Sequence, residues 1–402
     1  MAATDQTRTL SSGLLGLMTV ITGVTVANIY YNQPLLNLMA KSFHVPNATL
    51  GIVTMLTQIG YATGLLIFVP LADFLERRRL IWQLLLVCAT ATALMSVAET
   101  LWWLELASFM TGLVSVVPQI ILPLAADLAD NRHRGRVVGI IMSGLLIGVL
   151  LARTVSGFVG GLGGWRLMFL LAAGFMLILT AISARILPRY HARKPAPFRH
   201  VLGSLLPLMR NEPELVRVSL TGASFFGAFS AFWTTLTFLL SAAPYHYPAS
   251  TIGLFGLAGV AGALIAPVAG RSADRRDPRL LVSLAFLPAI AAFILAGIFS
   301  GSLPAILIAV VLLDLATNGA QISNQSRIYA LTPEARARSN TIYMVFYFMG
   351  GALGSGLGSF FYHVAHMPGV ASVAIAFLLL GIVIHRISLS RYSRPQRFGT
   401  IE

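Results

Sequence analysis

The feature that most constrains this chain is a recurrence of apolar stretches about 20 residues long, from residue 12 to residue 390. Crossing a hydrocarbon core about 30 Å thick takes about 20 residues of helix. Stretches such as LIWQLLLVCATATALMSVA (80–98) and VASVAIAFLLLGIVIHRI (370–387) lack the polar face that a soluble helix shows every three or four residues. Only 10% of the residues are charged, against about a quarter in a soluble protein. These runs imply an all-α integral membrane protein that crosses the bilayer many times.

The hydropathy pattern places spans near 12–39, 48–72, 80–98, 101–126, 136–161, 165–187, 214–241, 249–270, 280–299, 303–327, 338–363 and 368–388. The first apolar run continues past Met39 without a small-residue cleavage site, so it reads as a span rather than a signal peptide. The net charge of +14 could point to nucleic acid, but its placement argues otherwise. With the N-terminus cytoplasmic, only Lys41 and Arg166 of the 28 basic residues fall in outward loops, with Arg153 inside a span. That is the positive-inside bias of a membrane protein with both termini cytoplasmic, and it leaves no call for a nucleic-acid partner. The single cysteine, Cys88, excludes an intramolecular disulfide.

The chain also repeats itself. Asp73 aligns with Asp274 at an offset of 201 residues, and Gln119, Arg134, Arg136 and Gly148 align with Gln321, Arg336, Arg338 and Gly350 at 202. Between the copies lies a basic, proline-containing stretch, with an amphipathic segment around Leu202 to Met209. The expected organisation is an N-terminal half (1–187), a cytoplasmic linker (188–213) and a C-terminal half with a short tail (214–402), each half carrying six helices.

These residues resemble the major facilitator superfamily. The loop after span two matches the family's signature loop at Leu71, Ala72, Asp73, Arg77 and Arg78, while Val69 and Glu76 replace its two glycines and Phe74 replaces a basic residue. The second copy keeps Gly270, Ala273, Asp274 and Arg275. More narrowly, NIYYNQPLL (28–36), LLARTVSG (150–157) and SNQSRIYAL (323–331) are similar to bacterial efflux permeases of the arabinose-efflux type, within the twelve-helix drug:proton antiporter branch. The resemblance implies a secondary transporter in the bacterial inner membrane. It would work as a monomer by alternating access, exporting a small solute against inward proton flow, with no cofactor beyond the proton gradient. Two departures from the branch stand out: Ala152-Arg153 where antiporters have glycine-proline, and Ser108 where proton-coupled relatives commonly have arginine.

The resemblance makes Asp73, Arg77, Arg78 and Asp127, with Asp274 and Arg275 in the second copy, a cytoplasmic gate. Carboxylates and guanidiniums at helix ends can exchange partners as the halves rock; the alternative is that they only anchor loops. Small residues at spacing four in span five (Gly148, Ala152, Ser156, Gly160) and in span eleven (Gly350, Gly354, Gly358) are expected to pack between the halves. Arg153 lies 17 residues beyond Arg136, about 25 Å along a helix. In the outer half of the bilayer it must either snorkel to the surface or serve a substrate or gate contact.

Asp314 is the one acidic residue near the middle of a span, and Asn318, Gln321 and Gln325 follow it at spacings of 4, 3 and 4 on one helical face. In the resembled fold that span lines the central cavity, so Asp314 is a candidate proton site, the alternative being a structural carboxylate. Span one adds Asn28, Tyr31 and Asn32, span two Gln58 and span four Gln119. Such amides and aromatics suit a neutral or amphipathic solute. The competing functions are a uniporter and a non-transporting sensor of the same fold. An enzyme is disfavoured, because the eight histidines form no HExxH pattern and sit in loops or near span ends. No GxxxxGK[ST] loop offers ATP drive.

Overall fold

A computed structural model of the protein describes residues 10–130, 133–190, 198–264, 277–331 and 335–392, and among them every regular element is a helix. Eight helices are long and apolar enough to cross a membrane. Two of these are hairpins of paired spans. Arg134–Ile186 kinks at Gly163 and Gly164, the latter at φ 78°, where a side chain would be strained. Arg336–Tyr392 turns at Ala365 and His366. With the shorter Ser12–Ala27 and Ala249–Leu264, the layout is that of twelve spans in two six-helix halves. The helix Phe198–Asn211 stands between the halves, over the segment expected to be amphipathic.

Spans one and four are broken, each for a local reason. Span one runs from Ser12 to Ala27, turns through residues 28–32, and resumes as the short helices Gln33–Leu35 and Leu36–Phe43. Pro34 lacks an N–H and its ring crowds the preceding turn, so the α-helix is not continued through it and the 3-10 turn Gln33–Leu35 takes its place. Inside a membrane the freed carbonyls need partners. Asn28 Nδ2 donates to the carbonyls of Val24 and Thr25, and Thr237 of span seven donates to the Gln33 carbonyl at 2.8 Å. Span four ends its first part at Val114 and restarts at Val117, with Pro118 in the new first turn.

The small-residue stripes pack within halves, which corrects the sequence expectation. Gly148 lies against Gly23 of span one and Gly160 against Leu35, whereas Gly350, Gly354 and Gly358 lie against Ala223, Gly227 and Ala231 of span seven. The physical reason is the repeat itself: spans five and eleven each pack on the first span of their own half. The close approach between halves uses other positions, Gly157 against Ala249 and Gly253, and Gly51 against Ser355 and Ser359.

Four hydrogen bonds among the described residues join the halves. Gln58 Nε2 reaches Ser230 and Ser355 Oγ, both at 3.3 Å, Thr154 Oγ1 donates to the Gly253 carbonyl, and Thr237 Oγ1 to that of Gln33. All lie toward the face opposite the one that carries the 72–76 loop. The halves are therefore closed together on that distal face. Replacing Gln58 by leucine removes two of these bonds and should loosen the closure. A cysteine at the buried position 359, in a Cys88→Ser background, is then expected to react several-fold faster with a maleimide in the purified protein; an unchanged rate would show that the closure rests on apolar packing alone.

Candidate functional site

A cavity of about 100 Å³ lies between the halves, lined by residues from the middle of their spans. The C-terminal half gives it its polar floor: Asp314, Thr317, Asn318 and Gln321 project from one face of the continuous helix Leu303–Leu331. Phe226, Phe229, Tyr347 and Phe348 add aromatic wall. From the N-terminal half come Tyr30, Tyr61 and Gln119, and Leu145 to Leu150 contribute apolar surface. The wall is rigidly packed, with Phe226 stacked on Tyr347 at 4.1 Å and Tyr61 against Phe348 at 4.2 Å. Tyr347 donates its hydroxyl to Gln321 Oε1 at 3.3 Å.

Of the residues singled out from the sequence, Asp314, Asn318, Gln321 and Gln119 reach this wall, and the others sit elsewhere. Gln325 lies one turn beyond it, beside the Met344 sulfur. Gln58 is spent on the cross-half bonds. The span-one set is displaced by the break before Pro34. A continuous helix would put residues 28 and 32 on one face. In the broken one, Asn28 turns to Met176 of span six, Asn32 to Thr57 of span two, Tyr31 is buried, and Tyr30 faces the cavity. Tyr30 and the span-eleven aromatics were missed as site residues because aromatic side chains pack everywhere in such a chain, and nothing in their spacing marks them out.

Arg153 does not snorkel. It is 2% exposed, donates through Nε to Gln33 Oε1 at 2.7 Å, and lies with its guanidinium 3.9 Å from the Trp233 ring centre. Tyr30 and Phe229 flank it at 5.1 and 5.6 Å. Such an aromatic cage stabilises a desolvated cation. Asp314, 3% exposed, faces Arg153 and Trp233 and forms no ion pair within 4 Å among the described residues.

At the face that carries the 72–76 loop, Arg77 bridges Asp127 at 2.9 Å and Asp73 at 3.4 Å. Burial raises the Asp73 carboxyl above its ordinary pKa, against the pull of Arg77. Arg78 takes a different role, donating to the Ala184 carbonyl of span six. Asp274 and Arg275 lie outside the described residues. The C-terminal half has a cluster that the sequence did not reveal. Arg327 donates to Glu214 Oε1 and Ser388 Oγ, both at 2.8 Å, and sits 3.5 Å from His385 Nδ1, whose Nε2 is 2.9 Å from Ser283 Oγ. It ties spans seven, nine, ten and twelve together. Arg327 falls in the 323–331 segment already noted, but its partners are scattered across the half.

A cavity at the junction of two homologous six-helix bundles, with one carboxylate on its wall, defines a polytopic membrane carrier. The Major Facilitator Superfamily sequence model matches residues 15–300 and 242–399, and the chain belongs to that superfamily as a membrane transporter. It is 39% identical to the uncharacterized transporter YgaY of Escherichia coli O157:H7 over 375 residues, covering 93% of this chain and 95% of that one. It is 24% identical to a protein of Helicobacter acinonychis named "Probable sugar efflux transporter", covering 87% of each. The structure of a bacterial homologue of the human lysosomal transporter Spinster, inward-facing and occupied, superposes with a TM-score of 0.73 at 15% identity, covering 94% of this chain and 97% of that one.

Proposed function

We propose that the protein is a proton-coupled secondary exporter of a small solute, working by alternating access in the bacterial inner membrane as a monomer with both termini in the cytoplasm. The observation that carries this reading is Asp314: a single buried carboxylate on the wall of a cavity shared by two halves that are closed on one side. A carboxylate in that position can exchange a proton as its hydration changes between the open states. Asn318, Gln321 and Gln119 hold the solute beside it. The crowding of basic residues in the loops on the side of residues 72–76 supports a cytoplasmic placement of that side. The distal closure then makes this conformation inward-facing. The Arg77–Asp127 bridge serves in the cytoplasmic gate, which re-forms its contacts as the halves rock.

The test is flux in proteoliposomes loaded with pooled candidate solutes under an imposed pH gradient. Gradient-driven flux is expected, and Asp314→Asn should remove the dependence on the gradient with at least a tenfold fall in rate, about 1.4 kcal/mol in the barrier. Flux that ignores both the gradient and the substitution would leave a uniporter.

A further inference from the structure

Three side chains at or next to the cavity each hold a buried polar atom with no hydrogen-bond partner among the described residues: Arg153 Nη2, Trp233 Nε1 and Asp314 Oδ2. They come from both halves and converge. The Arg153 guanidinium rests on the Trp233 ring, and the Asp314 carboxylate is near enough to feel both the guanidinium charge and the indole N–H, with no hydrogen bond formed between them. Among its described residues, span eight offers nothing to complete them. A Cβ on Gly259 would already stand 3.2 Å from Asp314 Oδ1, and one on Gly256 3.0 Å from Arg153 Cβ, so the glycine face of that span backs the pair without offering a partner. Buried polar atoms left this way are costly, most of all on charged groups.

We propose that Arg153, Trp233 and Asp314 form the polar end of the solute site and that this site takes a small zwitterion, an α-amino acid or its close analogue. The inference rests on the transporter reading above and names the solute class. A cation would satisfy Asp314 and be repelled by Arg153; an anion would do the reverse. A neutral polyol offers hydroxyls to all three atoms but no counter-charge to either ion, and charge-assisted bonds are about twice as strong as neutral ones. A zwitterion supplies both charges at net zero. Its carboxylate meets Arg153 Nη2 and Trp233 Nε1, its ammonium meets Asp314 Oδ2, and its side chain lies against Phe226, Val149 and Leu150 in the cavity.

Arg153 and Trp233 do not themselves line the cavity; the guanidinium lies 5.1 and 5.6 Å from the Tyr30 and Phe229 rings that do, so the ligand parts those two rings as it seats. Size agrees with this assignment. A cavity of about 100 Å³ is well below the several hundred that drug-sized ligands need. Because Arg153 belongs to one half and the other two residues to the opposite half, the bound solute also bridges them.

The experiment is thermal unfolding of the purified full-length protein with four probe mixtures at millimolar concentration: alanine, valine, leucine and methionine; their carboxamides; their N-acetyl derivatives; and a pentose–hexose mixture. Only the free amino acids should raise the midpoint, by roughly 2–5 °C. Arg153→Gln and Asp314→Asn should each abolish that rise. Arg153→Lys keeps the charge if the glutamine variant does not fold, and should reduce the rise without abolishing it. A rise with sugars or carboxamides as large as with amino acids would overturn the zwitterion assignment, and so would no rise with any mixture. Either result leaves the transporter reading standing if the liposomes still show flux, whereas absence of flux for every solute is what would remove that reading.

Discussion

Replacing Arg327 by methionine should cost about 3–5 kcal/mol of stability, the penalty for stranding the partner of a buried ion pair. The Arg327 side chain is 6% exposed and Glu214 20%. Removing the guanidinium leaves Glu214 with only Arg217 at 3.4 Å and the Ser388 hydroxyl, and leaves His385 without its neighbour. The equivalent-looking bridge in the other half should behave differently. Arg77, at 7% exposed, is as buried as Arg327, but its partners Asp127 and Asp73 are 39% and 43% exposed. Asp127→Asn leaves Arg77 paired with Asp73, so it should cost about 1 kcal/mol and less still at high salt. Chemical or thermal unfolding of both variants in detergent measures the contrast. Equal losses would mean that the two ends of the molecule are held alike. The expected asymmetry has a functional meaning: a C-terminal half bolted across spans seven, nine, ten and twelve moves as one body, while in the N-terminal half the solvent-reached carboxylates Asp73 and Asp127 can exchange on Arg77 during rocking.

How much of this could be read from the sequence depends on whether a property is local or relational. The twelve spans were legible because bilayer thickness sets a length that hydropathy reports directly. Asp314 was legible because an acid inside a span has few bland explanations, and its helix runs unbroken, so the 4, 3 spacing to Asn318 and Gln321 carries through to the cavity wall. Span one was misread for the opposite reason. Its polar residues were phased as if the helix ran on to Pro34, but the break comes at Asn28, and a few residues of non-helical chain send Asn28, Tyr30 and Asn32 in three directions. Arg153 was flagged by its charge alone. Its cage could not be anticipated, because Trp233 and Phe229 come from the other half and nothing in the spacing of span seven distinguishes a ring that holds a cation from one that merely packs. Arg327 and His385 show the same limit. Each looked like a span-end residue, and only their convergence across four helices makes them a buried cluster.

Gly354→Ala should be far more damaging than its one methyl group implies, whereas Gly139→Ala should be harmless. Both glycines sit inside membrane helices, in spans eleven and five. A Cβ on Gly354 would fall on the Gly227 carbonyl of span seven, well inside van der Waals contact, and backbone cannot step aside as a side chain can. At Gly139 a Cβ would meet nothing within 4 Å. Alanine at Gly139 therefore gains the helix propensity that separates the two residues, up to about 1 kcal/mol, and the melting midpoint should stay level or rise slightly. At Gly354 the same gain is outweighed by overpacking, which costs about 1–3 kcal/mol even in cores whose side chains can shift, so the midpoint should fall by several degrees. Spans seven and eleven both present aromatics to the cavity, Phe226 stacked on Tyr347. Pushing these helices apart should therefore disturb the solute site as well as stability, and flux should fall further than the loss of folded protein accounts for. Equal melting of the two variants would mean that the contact between spans seven and eleven yields more readily than a backbone-to-backbone approach allows.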